Sequence, residues 1–525
     1  MPYKYGGPRS KGCHACRVRK VKVGYGWHSR AHLLIRCQTK CDEARPTCGR
    51  CLRSGKNCEF REAFDLLHYD ETAHASHRAH ELWQKRSTKS DESDTSSLST
   101  TTTPAAIPSD LTPVLRQPLY DLAMQRFFFD YVFQMNTPLG RGGYLEYLPD
   151  VYPGFIDQPF FLSAFKATAL ANFARRCNSR TASDAALAEY GKAICLTNAA
   201  LKDATLVLKD ETLLACQLLG FCEIYLSPET AFRSWFAHTK GAAALLEHRG
   251  LGILQTPLGP TLFRAVHTQE VLYKCLRFCL RPTGNPPFVK QVYGSVSAQI
   301  HLLAADVATL CADYVEQKST LSGDEYDAFA TQLLERAHVL DLRWQRLTSD
   351  IPWSFSYDRI PTRQYGLLPH WISPLIRDKR APIFVHVYSG FGQCFLWNVL
   401  RYARVRLHEL RMILAGAMTL SGAASESIEV LLQLEDELSS TVPALLIATT
   451  EEDYSGKRSN GEGIPSFRSF LMIRSLMAAR MTLVFLARRG LYVEERLAWL
   501  TDLFACLHEH LTIFVPPEFD PLDGD

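Results

Sequence analysis

Seven cysteines lie within the first 58 residues of this 525-residue chain, and their spacing limits the fold of that region more than any other feature does. Two pairs have the form Cys-x2-Cys, namely Cys13 with Cys16 and Cys48 with Cys51. Two intervening residues let both thiolates of a pair reach one metal ion. The N-terminal residues lack the apolar stretch of a signal peptide, so we expect an intracellular chain with reduced thiols. The pairs therefore indicate a metal site rather than disulfides.

The spacing around the second pair predicts the remaining ligands. This pair continues as C-x2-C-x6-C up to Cys58, and a matching first half would need a cysteine at position 23, where the chain has Val23. If residues 23–40 are set aside, Cys41 takes the missing place. The pattern then becomes C-x2-C-x6-C-x6-C-x2-C-x6-C, which is two copies of one half-motif.

The joined pattern resembles the fungal Zn2Cys6 binuclear cluster, the DNA-binding module of a large family of fungal transcription regulators. The resemblance covers residues 12–60 and includes Pro46 in the central loop and Gly55 before the last cysteine. It implies two Zn²⁺ ions per chain held by six thiolates, of which two bridge because two tetrahedral ions need eight ligand positions. The implied bridging ligands are Cys13 and Cys48, and the implied terminal ligands are Cys16, Cys41, Cys51 and Cys58.

Two other metal sites could be built from the same cysteines. A single-zinc ribbon would use only the two Cys-x2-Cys pairs and would leave Cys41 and Cys58 without a role. A RING-type site would need a further pair of ligands after Cys58, and the sequence has none there. The binuclear cluster accounts for more of the cysteines than either alternative.

The charge distribution separates the cysteine-rich segment from the rest of the chain. Residues 1–58 contain 14 Lys and Arg against 2 Asp and Glu, whereas the remainder contains 44 against 53. A small basic module joined to an acidic body predicts a polyanion as the partner of the module.

A short helix is expected over residues 16–22, between two of the ligands. It contains four cations, which are Arg17, Arg19, Lys20 and Lys22. The resemblance implies that this helix enters the major groove of double-stranded DNA at CGG-type half-sites, which dimers usually bind. Arg19 and Lys20 match the base-reading positions, where a cation can donate to guanine O6 and N7, and Lys20 is the stronger candidate. For Arg17 and Lys22 we favour contact with phosphate or solvent.

Residues 23–40, which interrupt the motif, have two explanations. They could form a surface loop whose closure costs about 2–3 kcal/mol, with Cys41 still reaching the zinc and Cys37 as a rival ligand. They could also be a translated intron, because eighteen codons keep the reading frame. Every Val codon begins with the splice-donor dinucleotide GT, and the Lys codon AAG ends with the acceptor AG. We favour the intron as a hypothesis.

The rest of the chain is predicted to be a linker and an all-α body. Residues 61–113 are a linker, and its Ser/Thr-rich part, 87–113, is expected to be disordered. Residues 114–525 are predicted to form a helical regulatory domain. Its expected helices cover 119–135, 159–177, 184–202, 210–226, 232–250, 259–280, 296–317, 324–347, 385–416, 424–443, 465–489 and 493–512.

One stretch of the body supports the same family resemblance. The segment "WFAHTKGAAALLEHRG" resembles a W-x2-H-x2-G-A-x2-L-L-x2-R-G signature of the large regulatory domain in one group of fungal transcription factors. Its small residues from Gly241 to Ala244 would allow close helix packing. We expect Trp235 and His238 to be packing residues rather than an effector site.

Several other classes of protein are disfavoured. The apolar stretch "FLMIRSLMAARMTLVFLARRG" contains Arg474 and Arg480, so we expect no membrane span. "GRGGY" lacks the lysine of a P-loop, and "HEH" lacks the spaced histidines of a zincin. Cys275 and Cys279 share a helix face and are expected to be buried core cysteines. We therefore predict that the protein is not an enzyme.

Together these features predict a nuclear, zinc-dependent, sequence-specific regulator of RNA polymerase II transcription. Its expected partners are double-stranded DNA and the transcription machinery or co-regulators, with a homodimer as a further option. The alternative is a helical interaction protein that does not bind DNA because residues 23–40 disrupt its zinc module.

Overall fold

The chain divides into two compact units, Met1–Glu71 and Thr72–Asp525. The computed structural model describes residues 117–511 together with Leu52 and Leu522, apart from gaps at 133–135, 138–139, 142–144, 227–230, 283–288, 353–354, 367, 418–420 and 447–463. The expected zinc module and the expected disordered segment 87–113 lie outside the described residues. The predicted domain boundaries therefore remain predictions, and the fold below is that of the second unit.

The second unit is all-α, as the sequence predicts. Its first six helices are α1 Leu119–Tyr131, α2 Leu148–Phe155, α3 Pro159–Arg176, α4 Arg180–Lys202, α5 Asp210–Leu226 and α6 Ala231–Arg249. The remaining helices are α7 Gly259–Thr268, α8 Leu276–Phe278, α9 Val289–Val292, α10 Ser295–Gln317, α11 Asp324–Ser349, α12 Ser373–Ile376, α13 Phe391–Ala417, α14 Ser421–Ser440, α15 Val442–Leu445, α16 Ser466–Ala487 and α17 Glu494–Leu511. Short 3-10 segments occur at Leu206–Leu208, Gly250–Gln255 and Thr362–Gln364.

The ends of these helices follow from local sequence. The hydroxyl of Ser179 precedes α4 and accepts a hydrogen bond from the backbone N–H of Ala182 at 3.3 Å, which satisfies one otherwise unpaired donor. Gly250 ends α6 with a φ of +51°, a left-handed conformation that glycine adopts without strain. Cys279, after α8, has a φ of +49° although it carries a side chain. That conformation is uncommon outside glycine and costs about 1–3 kcal/mol.

The predicted helix over 259–280 contains a change of helical type. After α7 the chain forms one π-helical segment, Gln269–Cys275, before returning to the short α8. A π-helical segment inserts an extra residue into the turn, and such segments often occur where side chains have a special role. The predicted helix is therefore present, but its side chains do not keep a single 3.6-residue period.

Two small antiparallel sheets interrupt the helices, and one of them corrects a predicted helix. β1 Asn136–Thr137 pairs with β2 Gly140–Arg141, and β3 Tyr357–Pro361 pairs with β4 Phe384–Tyr388. The prediction that a helix begins at residue 385 is wrong, because α13 begins at Phe391. The sequence of β4, "FVHVY", alternates β-branched and aromatic residues, a composition that favours a strand.

A buried carboxylate joins α16 to the first helices of the body. Asp130, on α1, is fully buried and accepts hydrogen bonds from Arg126 at 2.7 and 2.9 Å. It also accepts from Asn172 of α3 at 2.8 Å and from the backbone N–H of Ser466 at 3.1 Å. Because Ser466 is the first residue of α16, this one side chain fixes α16 against the first helices of the body.

Helix α16 is long and apolar enough to cross a membrane by length and composition, and 71% of its apolar window is buried inside the protein. Its arginines lie over aromatic rings of neighbouring elements. The Arg468 guanidinium is 4.6 Å from the ring centre of Phe391, and the Arg474 guanidinium is 5.6 Å from that of Trp235. A core helix has these features, and we interpret α16 as one.

Candidate zinc centre and buried polar clusters

The residues predicted to bind zinc and DNA lie outside the described residues. The predicted zinc ligands are Cys13, Cys16, Cys41, Cys48, Cys51 and Cys58. The predicted DNA-binding residues are Arg17, Arg19, Lys20 and Lys22. The sequence still supplies the chemistry of the donor set, because soft thiolate ligands suit Zn²⁺. The assignment of individual ligands remains a prediction.

The cysteines of the described body are not grouped with other metal-binding side chains. Within the described residues, no group of three or more His, Cys, Asp and Glu side chains is arranged to hold a metal ion. The nine cysteines of the body are all outside disulfides, and six of them are buried.

The segment that resembles a regulatory-domain signature lies mostly in α6, and its tryptophan packs in the interior. Trp235 is 5% exposed. A Cβ added to Gly220 of α5 would lie 3.3 Å from the Cβ of His238 and 3.6 Å from Cδ1 of Trp235. The small residues Ala242 and Ala243 are also buried. These contacts support the expectation that Trp235 and His238 are packing residues.

The sequence did not predict a buried charged cluster around Asp341 of α11, which is 2% exposed. Its Oδ1 accepts from Arg404 Nε at 2.8 Å and lies 3.2 Å from His408 Nε2. Arg411 Nη1 lies 3.7 Å from its Oδ2. Burial alone would raise the pKa of Asp341, but hydrogen bonds from His408 and Arg404 hold it below its ordinary value.

This cluster has the composition of a hydrolase triad but lacks its accessibility. His408 Nδ1 lies 3.3 Å from Ser427 Oγ, so Asp341, His408 and Ser427 form a continuous hydrogen-bonded line. Ser427 and His408 are both fully buried, so a substrate could not reach the serine without opening the core. A nucleophile must meet its substrate, and we therefore interpret the line as a structural connection among α11, α13 and α14.

A second buried guanidinium fixes the β3–β4 sheet against α13. Arg401 is fully buried and donates to Tyr388 Oη at 2.7 Å and to Glu437 Oε2 at 2.9 Å. Its guanidinium lies 5.0 Å from the ring centre of Tyr357 on β3. Burial, together with the charge of Arg401, lowers the pKa of His386 to about 3, so this imidazole stays neutral.

A third buried cluster surrounds Arg406 of α13, which contacts Cys279 and Cys311. Cys275 and Cys279 are 0% and 2% exposed, which confirms that they are buried. Cys279 Sγ accepts from Arg406 Nη2 at 3.0 Å, and Cys311 donates to the backbone oxygen of Arg406 at 3.9 Å. Arg406 Nη1 also donates to Glu409 Oε2 at 2.6 Å.

The spacing of four residues in α13 could have indicated the clusters around Asp341 and Arg401. Arg401, Arg404, His408 and Arg411 recur at intervals of three and four residues, which places them along one side of a helix. Such a polar row inside an otherwise apolar helix predicts buried partners on neighbouring helices. The sequence does not say which carboxylates those partners are.

One segment of the N-terminal unit matches a known zinc domain. Residues 36–66 match the fungal Zn(2)-Cys(6) binuclear cluster domain, a zinc-binding and DNA-binding domain of fungal transcription factors. This segment of the chain is therefore similar to that domain. Neither a curated protein nor a solved structure matches the chain.

The matched segment covers only part of the interrupted motif. The matched segment contains four predicted ligands, Cys41, Cys48, Cys51 and Cys58, together with Cys37. It begins at residue 36 and therefore does not contain Cys13, Cys16 or the basic residues 17–22. Cys13 and Cys16 of the first half-motif thus lie before the interruption, whereas its third predicted ligand, Cys41, lies within the matched segment.

Proposed function

We propose that the protein is a nuclear, sequence-specific regulator of RNA polymerase II transcription that reads CGG-type half-sites. The observation that carries this proposal is the match of residues 36–66 to a DNA-binding zinc cluster domain. The excess of cations in residues 1–58 supports it, because DNA binding depends on neutralising phosphates. In this proposal the helical body regulates or recruits and does not catalyse a reaction.

The residues of the N-terminal unit would have separate roles in binding zinc, bases and phosphates. The six thiolates of the predicted ligand set would hold two Zn²⁺ ions, and metal binding would supply the folding free energy of the module. Arg19 and Lys20 would donate to guanine edges, whereas Arg17 and Lys22 would position the module on phosphates. A second copy of the chain could supply the second half-site.

The test measures zinc content and duplex binding of the full chain. We expect about two zinc ions per chain by elemental analysis and binding to a CGG-containing duplex that weakens steeply with salt. Cys48→Ser should abolish both, whereas Cys195→Ser, at an exposed cysteine of the body, should change neither. Unchanged zinc content and affinity in Cys48→Ser would contradict the proposal.

A second candidate function follows from the start of the family match at residue 36. If residues 23–40 disrupt the zinc module by separating Cys16 from Cys41, the chain as written would be a helical interaction protein without DNA binding. Removing residues 23–40 distinguishes the two functions. Zinc and duplex binding that appear only after the deletion would favour the second function for the chain as written.

A further inference from the structure

One row of side chains on helix α11 is exposed although it has apolar residues at its centre. α11 is 26 residues long and packs against α10 and α13. Val339 and Leu342 lie outside these contacts and are 63% and 36% exposed. We call the row to which they belong the α11 stripe. Its members, all exposed, are Gln332, Glu335, Val339, Leu342, Arg346 and Ser349.

The α11 stripe has the spacing of a surface that packs against another helix. Its members are separated alternately by three and four residues, which places them along one side of the helix. This is the spacing of the a and d positions along which two helices pack in a coiled coil. The residues that α11 contributes to the core form a different row: Ala330, Leu333, Ala337, Asp341 and Leu347. The stripe is therefore a second packing surface, on which no helix of the described body lies.

The order of side chains in the stripe is complementary to the same order reversed. A two-fold axis between residues 340 and 341 would bring two copies of α11 together antiparallel. Val339 of each copy would then lie opposite Leu342 of the other. Glu335 of each copy would lie opposite Arg346 of the other. Such an interface is self-complementary, as a two-fold interface between identical chains must be.

The charges of the stripe favour this antiparallel arrangement. Within the part of the chain that the structure describes, neither Glu335 nor Arg346 forms an ion pair with its own chain. In a parallel pair each of these charges would face the same charge of the other copy, which is unfavourable. The nearest cations, Arg336 and Arg343, are each already paired with an aspartate of α10. They therefore add little repulsion beside the stripe.

We propose that the α11 stripe is a dimer interface, in which a second copy of the body packs antiparallel against the first. Val339 and Leu342 of both copies form its apolar centre, and the Glu335–Arg346 pairs close it on either side. One helix from each copy makes a small interface, so the dimer should be weak, with a dissociation constant in the micromolar range. The dimer requires neither zinc nor DNA and goes beyond the proposed function.

The test measures sedimentation velocity of the full zinc-loaded chain over a series of concentrations. We expect the chain to change from monomer to dimer as its concentration rises. Glu335→Arg should raise the dissociation constant at least about tenfold, because it replaces two ion pairs with two like-charge contacts. Arg346→Glu should have the same effect for the same reason.

Mixing these two variants tests the two-fold arrangement itself. In a dimer of one Glu335→Arg chain and one Arg346→Glu chain, every arginine of the pairs again faces a glutamate. The mixture should therefore form dimers at concentrations where each variant alone is monomeric. A chain that carries both substitutions should also dimerise as the parent chain does.

Two exposed positions outside the stripe provide matched controls. Glu429→Arg, on α14, makes the same change of charge and should leave the dissociation constant unchanged. Val339→Asp should abolish the dimer, whereas Leu251→Asp should not, although Leu251 is 60% exposed. Because these side chains are exposed, the variants should fold, and thermal unfolding checks this.

A chain that is monomeric at roughly 100 µM would overturn the proposal, since even a weak specific interface should be occupied there. A dimer that Glu335→Arg does not weaken, or that mixing does not restore, would overturn it too and would indicate another surface. Cys48→Ser, which should lose zinc and DNA binding, should dimerise as the parent chain does. Failure of the dimer and failure of the proposed regulatory function are therefore distinguishable.

Discussion

Cysteine is expected to have different roles in the two parts of this chain. Seven cysteines lie in residues 1–58 among 14 Lys and Arg, a setting that stabilises thiolates for metal binding. The nine cysteines of the body lie in helices or next to them, and burial raises the pKa of several, including Cys216 and Cys275, to about 12. The surroundings of a thiol therefore decide whether it binds a metal, reacts or packs in the core.

The arginines of the N-terminal segment and of the body are also expected to have different roles. In the N-terminal segment the cations are expected to face phosphate and bases, whereas Arg401 and Arg406 of the body are 0% and 1% exposed and are hydrogen-bonded to other core residues. Arg401 and Arg406 therefore contribute to internal packing, whereas the cations of the module are expected to contact a partner. Changes in one part should leave the function of the other intact.

The largest expected effect tests the internal charges of the body. Asp341→Ala would remove the carboxylate that Arg404, His408 and Arg411 share, leaving Arg411 only its half-exposed partner Glu426. We expect the free energy of unfolding in urea to fall by about 3–5 kcal/mol. At temperatures where the body is folded, zinc content and duplex affinity should not change.

An exposed ion pair beside the same helix provides the matched control. Arg343 of α11 and Asp306 of α10 are 2.5 Å apart, but their side chains are 42% and 44% exposed. Asp306→Ala should therefore cost less than about 1 kcal/mol, because solvent screens the pair. Equal losses for the two variants would contradict the importance of burial.

The sequence predicts much of the fold because apolar periodicity is a local signal. The helices at 159–177 and 210–226 agree with α3 and α5 to within one residue at each end. The strand β4 was missed because its pairing partner, β3, begins 27 residues earlier and the five residues of β4 directly precede a long helix. Strand pairing depends on a distant segment that a local pattern does not contain.

In the candidate sites, local sequence likewise locates some residues but not their distant partners. The zinc ligands are a prediction from local spacing, because two residues between cysteines let both thiolates reach one metal ion. The charged residues Arg404 and His408 could be located by spacing, but their partner Asp341 lies more than 60 residues earlier in the chain. The contact of Cys279 with Arg406 likewise joins residues 127 positions apart, which no local pattern indicates.

The second prediction concerns the interruption of the zinc motif. Deleting residues 23–40 should raise the affinity for a CGG-containing duplex at least a hundredfold, or roughly 2.7 kcal/mol, because it restores the regular spacing of the ligands. A deletion of the same length within the linker, residues 90–107, is the control and should not raise affinity. Fluorescence anisotropy with labelled duplex measures both.

Transcript sequencing tests the origin of the same segment. We expect messages that lack the codons for residues 23–40, because the flanking sequence joins into an uninterrupted motif. Messages that all encode Trp27 and His32 would contradict the intron hypothesis. Equal duplex affinity and zinc content with and without the segment would contradict its effect on binding.

The third prediction concerns two buried histidines of the body. Burial lowers the pKa of His267 to about 3 and that of His301 to about 4, whereas an unfolded histidine titrates near 6.5. Between pH 6.5 and pH 5 only the unfolded state gains these protons, so stability falls as pH falls. Each histidine should contribute a loss of about 1.5 kcal/mol over this range.

His301→Gln isolates that contribution by removing one titrating group. Urea unfolding at a series of pH values should show a shallower loss of stability in the variant than in the parent chain. Identical slopes would mean that His301 binds a proton equally in both states. Zinc loss at low pH affects both proteins alike and therefore does not alter the difference.

The smallest expected effect tests whether the signature in α6 acts through packing. An alanine at Gly220 would place its Cβ 3.3 Å from the Cβ of His238, whereas an alanine at Gly191 of α4 would meet nothing within 4 Å. Gly191→Ala should raise the free energy of unfolding by about 0.5–1 kcal/mol, because alanine favours a helix. Gly220→Ala should lose that gain, since two packed helices must separate slightly, so the variants should differ by about 1 kcal/mol.

Equal gains, measured by thermal unfolding, would mean that α5 and α6 are not closely packed at Gly220. A change in duplex affinity in Gly220→Ala would instead show that the body communicates with the DNA-binding segment, against the independence inferred above.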